Sequence, residues 1–159
     1  MGVSGSGKTT VGQQLSEDLG WSYFDGDDFH SIKSIAKMSN GIPITDEDRS
    51  VWLSQIRQQL TEWIKTKKNA VISCSALKQQ YRQQLLIDSD IIKFVYLKGS
   101  KELINRRLQS RVGHFMKADL LASQLNVLEE PDNIPTFDIA NSPQQISIQI
   151  QNQLGLSAK

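Results

Sequence analysis

The length and charge of the chain set the first limits on what it can be. Its 159 residues carry 18 basic and 17 acidic side chains, for a formal net charge of +1. This length predicts one domain, residues 1–159, around a single core. The charges form no basic stripe, which argues against a nucleic-acid partner, and no apolar run is long enough to cross a bilayer. Because no secretory signal is visible, we expect a cytoplasmic protein.

A phosphate-binding loop opens the chain. Residues 2–9 match the pattern G-x-x-x-x-G-K-[ST], and apolar residues at helical spacing follow until Gly20. In such a loop, backbone N–H groups hold nucleotide phosphates, the lysine reaches the β- and γ-phosphates, and the final hydroxyl holds Mg²⁺. The alternative is a Gly/Ser-rich tail. The predicted nucleotide-binding residues are Gly2, Val3, Ser4, Gly5, Ser6, Gly7, Lys8, Thr9 and Thr10, with Thr9 also a metal ligand.

Strands and helices alternate along the chain. Only Met1 precedes the phosphate loop, so we expect the first strand to be truncated and Met1 to be an internal methionine of a longer natural protein. Strands are predicted at residues 21–24, 70–74, 91–97 and 136–139, with 70–74 buried on both faces. Helices are predicted between them, and residues 30–44 are predicted to be irregular. This alternation predicts an α/β fold in which helices flank a parallel sheet.

Three further patterns concern helix caps and the core. Thr45 and Ser142 are predicted to cap helices. The helix after Thr45 carries a stripe that we interpret as core rather than as a ligand platform: Trp52, Ile56, Leu60 and Trp63. The one cysteine, Cys74, lies in an apolar run and excludes an internal disulfide. We expect a reduced, packed thiol there.

Two acidic residues follow the strand at 21–24. Asp25 and Asp27 are predicted to lie at the carboxyl edge of the sheet, where open α/β sheets bind their ligands. Asp27 is the candidate for accepting the proton of an attacking hydroxyl, and Asp25 the candidate for holding Mg²⁺ through water. The alternative is a solvated acidic turn.

Cations in the middle and second half of the chain suggest an anionic substrate. Arg107 and Arg111 share a helix face and are predicted to belong to a lid that closes on the polyphosphate, although a solvated charged face is an equal alternative. Other cations are scattered on the same side of the predicted sheet, and together they suggest a substrate that carries a carboxylate. These residues are His30, Lys37, Arg49 and Arg82.

With these motifs assembled, the chain resembles the gluconate kinases of the shikimate-kinase-like P-loop group almost from end to end. The matching blocks are MGVSGSGKT at 1–9, DGDDFH at 25–30, IAKM at 35–38, GIPITDEDR at 41–49, CSALK at 74–78, YR at 81–82, YLKG at 96–99, Arg111 with GHF at 113–115, and LEEP at 128–131. The DGDDFH and CSALK blocks separate gluconate kinases from shikimate kinases.

The resemblance implies a P-loop kinase with a helical lid at about residues 106–128 and ATP-dependent phosphorylation of D-gluconate on its 6-hydroxyl, with Mg²⁺ and often as a homodimer. It implies catalytic roles for Lys8, Asp27, Arg107 and Arg111 and a metal site at Thr9 and, through water, at Asp25. The implied substrate-binding residues are Asp27, His30, Lys37, Arg49, Arg82 and His114. Two alternatives stay open: a kinase for another small sugar acid or shikimate-like metabolite, and a nucleotide-binding module without catalysis.

Overall fold

The computed structural model describes residues 1–42, 44–110 and 119–157, in which seven helices and four strands alternate. The helices are α1 (Lys8–Leu19), α2 (Ile32–Ser39), α3 (Asp46–Lys65), α4 (Gln79–Leu85), α5 (Lys101–Gln109), α6 (Asp119–Val127) and α7 (Pro143–Leu154). The strands are β1 (Ser22–Asp25), β2 (Ala70–Ser73), β3 (Tyr96–Lys98) and β4 (Thr136–Asp138). None of the helices described is long and apolar enough to cross a membrane.

The strands form two parallel pairs, as the alternation of strands and helices predicts. β1 pairs with β2, and β3 pairs with β4. The start of the phosphate loop lies between the pairs, because Leu97 N–H donates to the Met1 carbonyl at 2.9 Å and Gly2 N–H donates to the Ser75 carbonyl at 3.2 Å. The start of the loop is therefore hydrogen-bonded on one side to β3 and on the other to the residue that follows Cys74 after β2.

Two apolar clusters form the core. The larger one joins α1, α5, α6 and α7 to β3 and β4 through residues such as Leu15, Leu97 and Ile146. The smaller one lies beneath α3 and α4. It contains Trp52 and Ile56 of the predicted stripe, together with Tyr81 of α4. The interpretation of that stripe as core is confirmed: Trp52, Ile56 and Trp63 are buried, and Leu60 is half-buried.

An apolar cavity of about 440 Å³ lies beside Met1. It is lined by side chains of α3, β2, α7 and the segment before β3. Residues 70–72 of β2 border it and are only half-buried, so the prediction that this strand is buried on both faces is wrong. Residues 91–95 also line the cavity and lie outside the strand, so β3 begins at Tyr96 rather than at Ile91.

The segment after β1 is more ordered than its composition suggests. Residues 32–39 form helix α2, which the prediction of an irregular segment missed. Ser31 begins this helix by accepting the Ser34 N–H on its hydroxyl at 3.1 Å. Both predicted caps are confirmed: Thr45 forms a capping box at the start of α3, and Ser142 forms one at the start of α7.

Candidate active site

The phosphate loop has the backbone that its glycines predict. Gly7 lies just before α1 with φ of 87°, a left-handed conformation that glycine adopts without strain. Among the described residues no side chain caps this end of α1, so the helix presents its positive end to the solvent. Lys8 Nζ lies over the loop and donates to the Val3 carbonyl at 3.1 Å. This arrangement suits an anion at the start of α1.

The two ends of the predicted metal site meet in the structure. Thr9 Oγ1 donates to Asp25 Oδ2 at 3.1 Å, across the gap between α1 and the end of β1. Tyr23 fixes this carboxylate through a 3.0 Å hydrogen bond to Oδ2, and its hydroxyl also lies 2.9 Å from Ser73 Oγ. Burial acts to raise the pKa of Asp25, but hydrogen bonds from the Asp27 N–H and from neighbouring hydroxyls outweigh it and lower that pKa.

This pair of oxygens fits Mg²⁺. The ion prefers oxygen ligands, keeps several waters, and is commonly held by one or two protein oxygens plus substrate phosphates. Thr9 and Asp25 supply a hydroxyl and an ionised carboxylate at the phosphate loop. The described part of the chain contains no cluster of three or more His, Cys, Asp or Glu that would make an all-protein metal cage.

Asp27 lies two residues after Asp25, in a single 3₁₀ turn, Gly26–Phe29. Its side chain is 52% exposed and its Oδ1 lies 3.9 Å from His30 Nε2. The turn is held from below by Trp52, whose Nε1 donates to the Gly26 carbonyl at 2.6 Å. Asp27 is thus accessible to a substrate while the backbone beneath it is fixed.

His30 is buried, with 4% of its side chain exposed. Its ring stacks on Trp52 at a centroid separation of 4.6 Å, and its Nδ1 has no hydrogen-bond partner in the described residues. Burial lowers the pKa of His30, and the positive charge of Arg49 lowers it further. The negative charges of Asp27 and Asp48 act to raise this pKa but do not offset the burial. The imidazole is therefore neutral at pH 7, with one buried nitrogen unused.

The predicted substrate cations on α2 and α3 lie together, each beside an acidic residue. Lys37 Nζ is 2.5 Å from Asp48 Oδ2, and Arg49 Nη1 is 3.1 Å from Asp46 Oδ1. The Lys37 hydrogen bond is the largest of the interactions that lower the pKa of Asp48 to about 2. Asp46 also accepts a 3.1 Å hydrogen bond from the Tyr81 hydroxyl. These pairs leave the cluster close to neutral.

Two arginines approach the site from other elements. Arg82 is buried on α4, and its Nη1 donates to the Ala76 and Leu77 carbonyls just after β2, at 3.1 and 2.9 Å. Arg107 on α5 reaches the phosphate loop: a Cβ placed on Gly7 would lie 3.4 Å from its Nη1. Its Nη2 donates to the Ile139 carbonyl after β4 at 2.7 Å. The other two predicted residues, Arg111 and His114, lie outside the described residues.

Sequence reasoning missed three contacts that shape this site. Trp52 was expected only as core, and neither Tyr23 nor Gln124 was singled out. Gln124 accepts the Ser4 N–H at 2.7 Å, and its Nε2 donates to Ser4 Oγ at 3.2 Å. A glutamine between Leu121 and Leu125 on the apolar face of α6 is the one sequence signal that pointed to such a contact, because a polar side chain on an apolar face needs a partner.

Comparison with known proteins agrees with this geometry. The family model described as shikimate kinase matches residues 4–133. A gluconokinase of Gluconobacter oxydans is 47% identical over 88% of this chain and 79% of its own. A probable gluconokinase of Dictyostelium discoideum is 42% identical over 97% of this chain and 84% of its own. A solved gluconokinase structure from Sinorhizobium meliloti is 39% identical, with a TM-score of 0.87 over 98% of this chain and 89% of its own. The chain therefore belongs to the gluconokinases of the shikimate kinase family.

Proposed function

We propose that the chain transfers the γ-phosphoryl group of ATP to the 6-hydroxyl of D-gluconate, giving 6-phosphogluconate and ADP. The observation that carries this proposal is the 47% identity to a gluconokinase over 88% of the chain. The site supports it, because a phosphate loop, an oxygen pair suited to Mg²⁺ and an accessible carboxylate lie along one edge of the strands. Phosphoryl transfer needs these three parts.

The nucleotide side of the reaction uses the loop and two cations. Backbone N–H groups at the start of α1 would hold the phosphates, and Lys8 would leave the Val3 carbonyl for the β- and γ-phosphates. Arg107, beside Gly7, would neutralise charge on the transferred group. Mg²⁺ held by Thr9, and by Asp25 through water, supplies charge neutralisation and aligns the phosphates when bound. We include Arg111 in the same role as Arg107.

The acceptor side centres on Asp27. Its carboxylate would take the proton of the 6-hydroxyl as that oxygen bonds to the γ-phosphorus and the bond to the ADP oxygen breaks. The 52% exposure of the Asp27 side chain leaves room for a hydroxyl beside it. The remaining residues would hold the sugar acid. The buried His30 Nδ1, which has no hydrogen-bond partner in the described residues, would bond to a polar group of the acid, and the cations would face the carboxylate of the acid. The residues that would hold the acid are His30, Lys37, Arg49, Arg82 and His114.

Three finer features complete the proposal. Residues 106–128 would act as the lid of a single kinase domain. The active form would be a homodimer, and the enzyme would work in the cytoplasm. Light scattering of the purified protein measures the assembly: a mass of twice 17.9 kDa supports the dimer, and 17.9 kDa removes it.

The reaction is tested by ATP consumption with Mg²⁺ and a panel of acceptors: D-gluconate, L-idonate, shikimate and none. We expect turnover with D-gluconate to exceed that with the other acceptors. Preferred turnover of L-idonate or shikimate would support a kinase for another small acid. ATP binding without turnover of any acceptor would support a nucleotide-binding module.

The role of Asp27 is tested by Asp27→Asn, with Asp28→Asn as the matched control. Asp28 is the next residue in the same exposed turn, and the proposal gives it no part in the reaction. Loss of a positioned general base lowers rates by about 10²–10⁴-fold, so we expect a fall of that size in kcat for Asp27→Asn, with ADP affinity kept. Full activity of Asp27→Asn would remove Asp27 from this role.

A further inference from the structure

Gln124 lies on the inward face of α6 and contacts the phosphate loop across 120 residues of sequence. The same face carries Leu121, which is 1% exposed, and Leu125, which packs on the larger apolar cluster. These leucines fix α6 against the body of the protein, so the amide of Gln124 is presented to the loop from a packed helix. The side chain is half-buried; its Oε1 accepts the Ser4 N–H and its Nε2 donates to Ser4 Oγ.

The contact belongs to a set that shapes the loop. Three of its N–H groups have acceptors in the protein: Gly2 donates to the Ser75 carbonyl at 3.2 Å, Ser6 donates to the Val3 carbonyl of the loop itself at 3.2 Å, and Ser4 donates to Gln124 at 2.7 Å. Two of these acceptors are backbone carbonyls, which any sequence supplies. The acceptor for Ser4 is a side chain, so this bond depends on the residue at position 124.

We propose that Gln124 is a positioning residue for the nucleotide site: it holds Ser4 so that the second half of the loop, residues 5–9, keeps the curvature that binds phosphate. The inference rests on the proposed function for the identity of the ligand, a nucleoside polyphosphate. Gln124 itself touches the loop and needs no contact with the nucleotide. It also ties α6, part of the predicted lid, to nucleotide binding.

The test replaces Gln124 by methionine, which has similar length and volume but cannot accept the Ser4 N–H. Gln151→Met is the matched control, because Gln151 is a half-buried helical glutamine whose Nε2 donates to Asp18 and Ser147, far along α7 from the loop. Two quantities are measured without turnover: the Kd for Mg·ADP by calorimetry and the hydrogen-exchange rate of the Ser4 amide. Steady-state kinetics then gives the KM values for ATP and gluconate.

Loss of a hydrogen bond to a backbone donor costs about 1–2 kcal/mol, which corresponds to roughly a fivefold to thirtyfold rise in Kd if the cost falls on binding. For Gln124→Met we expect that rise in the Kd for Mg·ADP and in KM for ATP, faster exchange at Ser4, and an unchanged KM for gluconate. Gln151→Met should show none of these effects.

Each other result has a defined meaning. Wild-type affinity for Mg·ADP in Gln124→Met would overturn the inference, and so would tighter binding, which would show that the contact opposes nucleotide entry. Equal weakening by Gln151→Met would show a general loss of packing and would also overturn it. The expected weakening of Mg·ADP binding in Gln124→Met, together with no turnover of gluconate by the wild type, would support the inference and sink only the proposed substrate.

Discussion

Replacing Trp52 by phenylalanine tests whether the core beneath the site also sets the geometry of the site. The indole is 3% exposed, donates to the Gly26 carbonyl at 2.6 Å and stacks on His30 at 4.6 Å. Phenylalanine keeps an aromatic ring but loses the donor, so the Gly26 carbonyl, which lies between Asp25 and Asp27 in the sequence, loses its partner. The turn that carries Asp25 and Asp27 then has one anchor fewer.

The expected size of the effect follows from these contacts. The lost hydrogen bond contributes about 1 kcal/mol and the smaller ring about 1–2 kcal/mol of apolar contact, so the free energy of unfolding should fall by about 2–3 kcal/mol. For a chain of this length that corresponds to a drop in Tm of roughly 5–10 °C. Because the turn and the His30 ring lose a support, KM for gluconate should rise several-fold.

Trp63→Phe is the matched control on the same helix. Trp63 is 6% exposed and its ring lies 4.3 Å from that of Phe24, while its indole N–H bonds to no described residue. Urea unfolding and steady-state kinetics of both variants separate stability from positioning. We expect both variants to lose stability and only Trp52→Phe to change KM for gluconate. An unchanged KM in Trp52→Phe, despite the lost stability, would refute the idea that Trp52 positions the acceptor site.

Two further predictions follow from buried titratable groups. Burial raises the pKa of the Cys74 thiol to about 12, so a thiol reagent should not label the native protein at pH 8 but should label it in urea; rapid native labelling would contradict the burial. Burial lowers the pKa of His30 below its ordinary 6.5. As the pH falls, the unfolded state therefore takes up a proton at this residue before the folded state does, and the free energy of unfolding should decrease below pH 6.5. Urea unfolding between pH 7.5 and 5 should show that the free energy of unfolding falls less in His30→Gln than in the wild type. An equal dependence on pH in both proteins would show that His30 is not a source of this loss of stability.

The sequence predicts those parts of the fold that depend on local patterns. The phosphate loop, the caps at Thr45 and Ser142 and the buried stripe on α3 follow from residue type and spacing, and all are found. Helix α2 was missed because it is only eight residues long and its start depends on one serine cap. The early start predicted for β3 failed because an apolar run does not reveal whether a neighbouring strand is there to pair with it.

In the candidate site, the residue types follow from local motifs, whereas the contacts between segments do not. Motif spacing placed Asp25 and Thr9 in separate segments, and only the parallel pairing of β1 with β2 and the packing of α1 bring their oxygens within 3.1 Å. The ion pairs that balance Lys37 and Arg49 join residues in ways that a list of cations does not show. Gln124 reaches Ser4 across 120 residues of sequence, and its place on an apolar face indicates only that it needs a partner, not which residue that partner is.

The position of the phosphate on the product shows whether the protein phosphorylates D-gluconate on its 6-hydroxyl. The protein is incubated with ATP, Mg²⁺ and D-gluconate, and the product is examined by ³¹P and ¹H nuclear magnetic resonance, with Lys8→Met as the control that lacks the phosphate-binding cation. We expect a single phosphomonoester whose phosphorus couples to the two protons on C6, formed by the wild type and reduced at least about 10²-fold in the control. A phosphate on another carbon, or no phosphorylated acid from folded protein that binds ATP, would contradict this expectation.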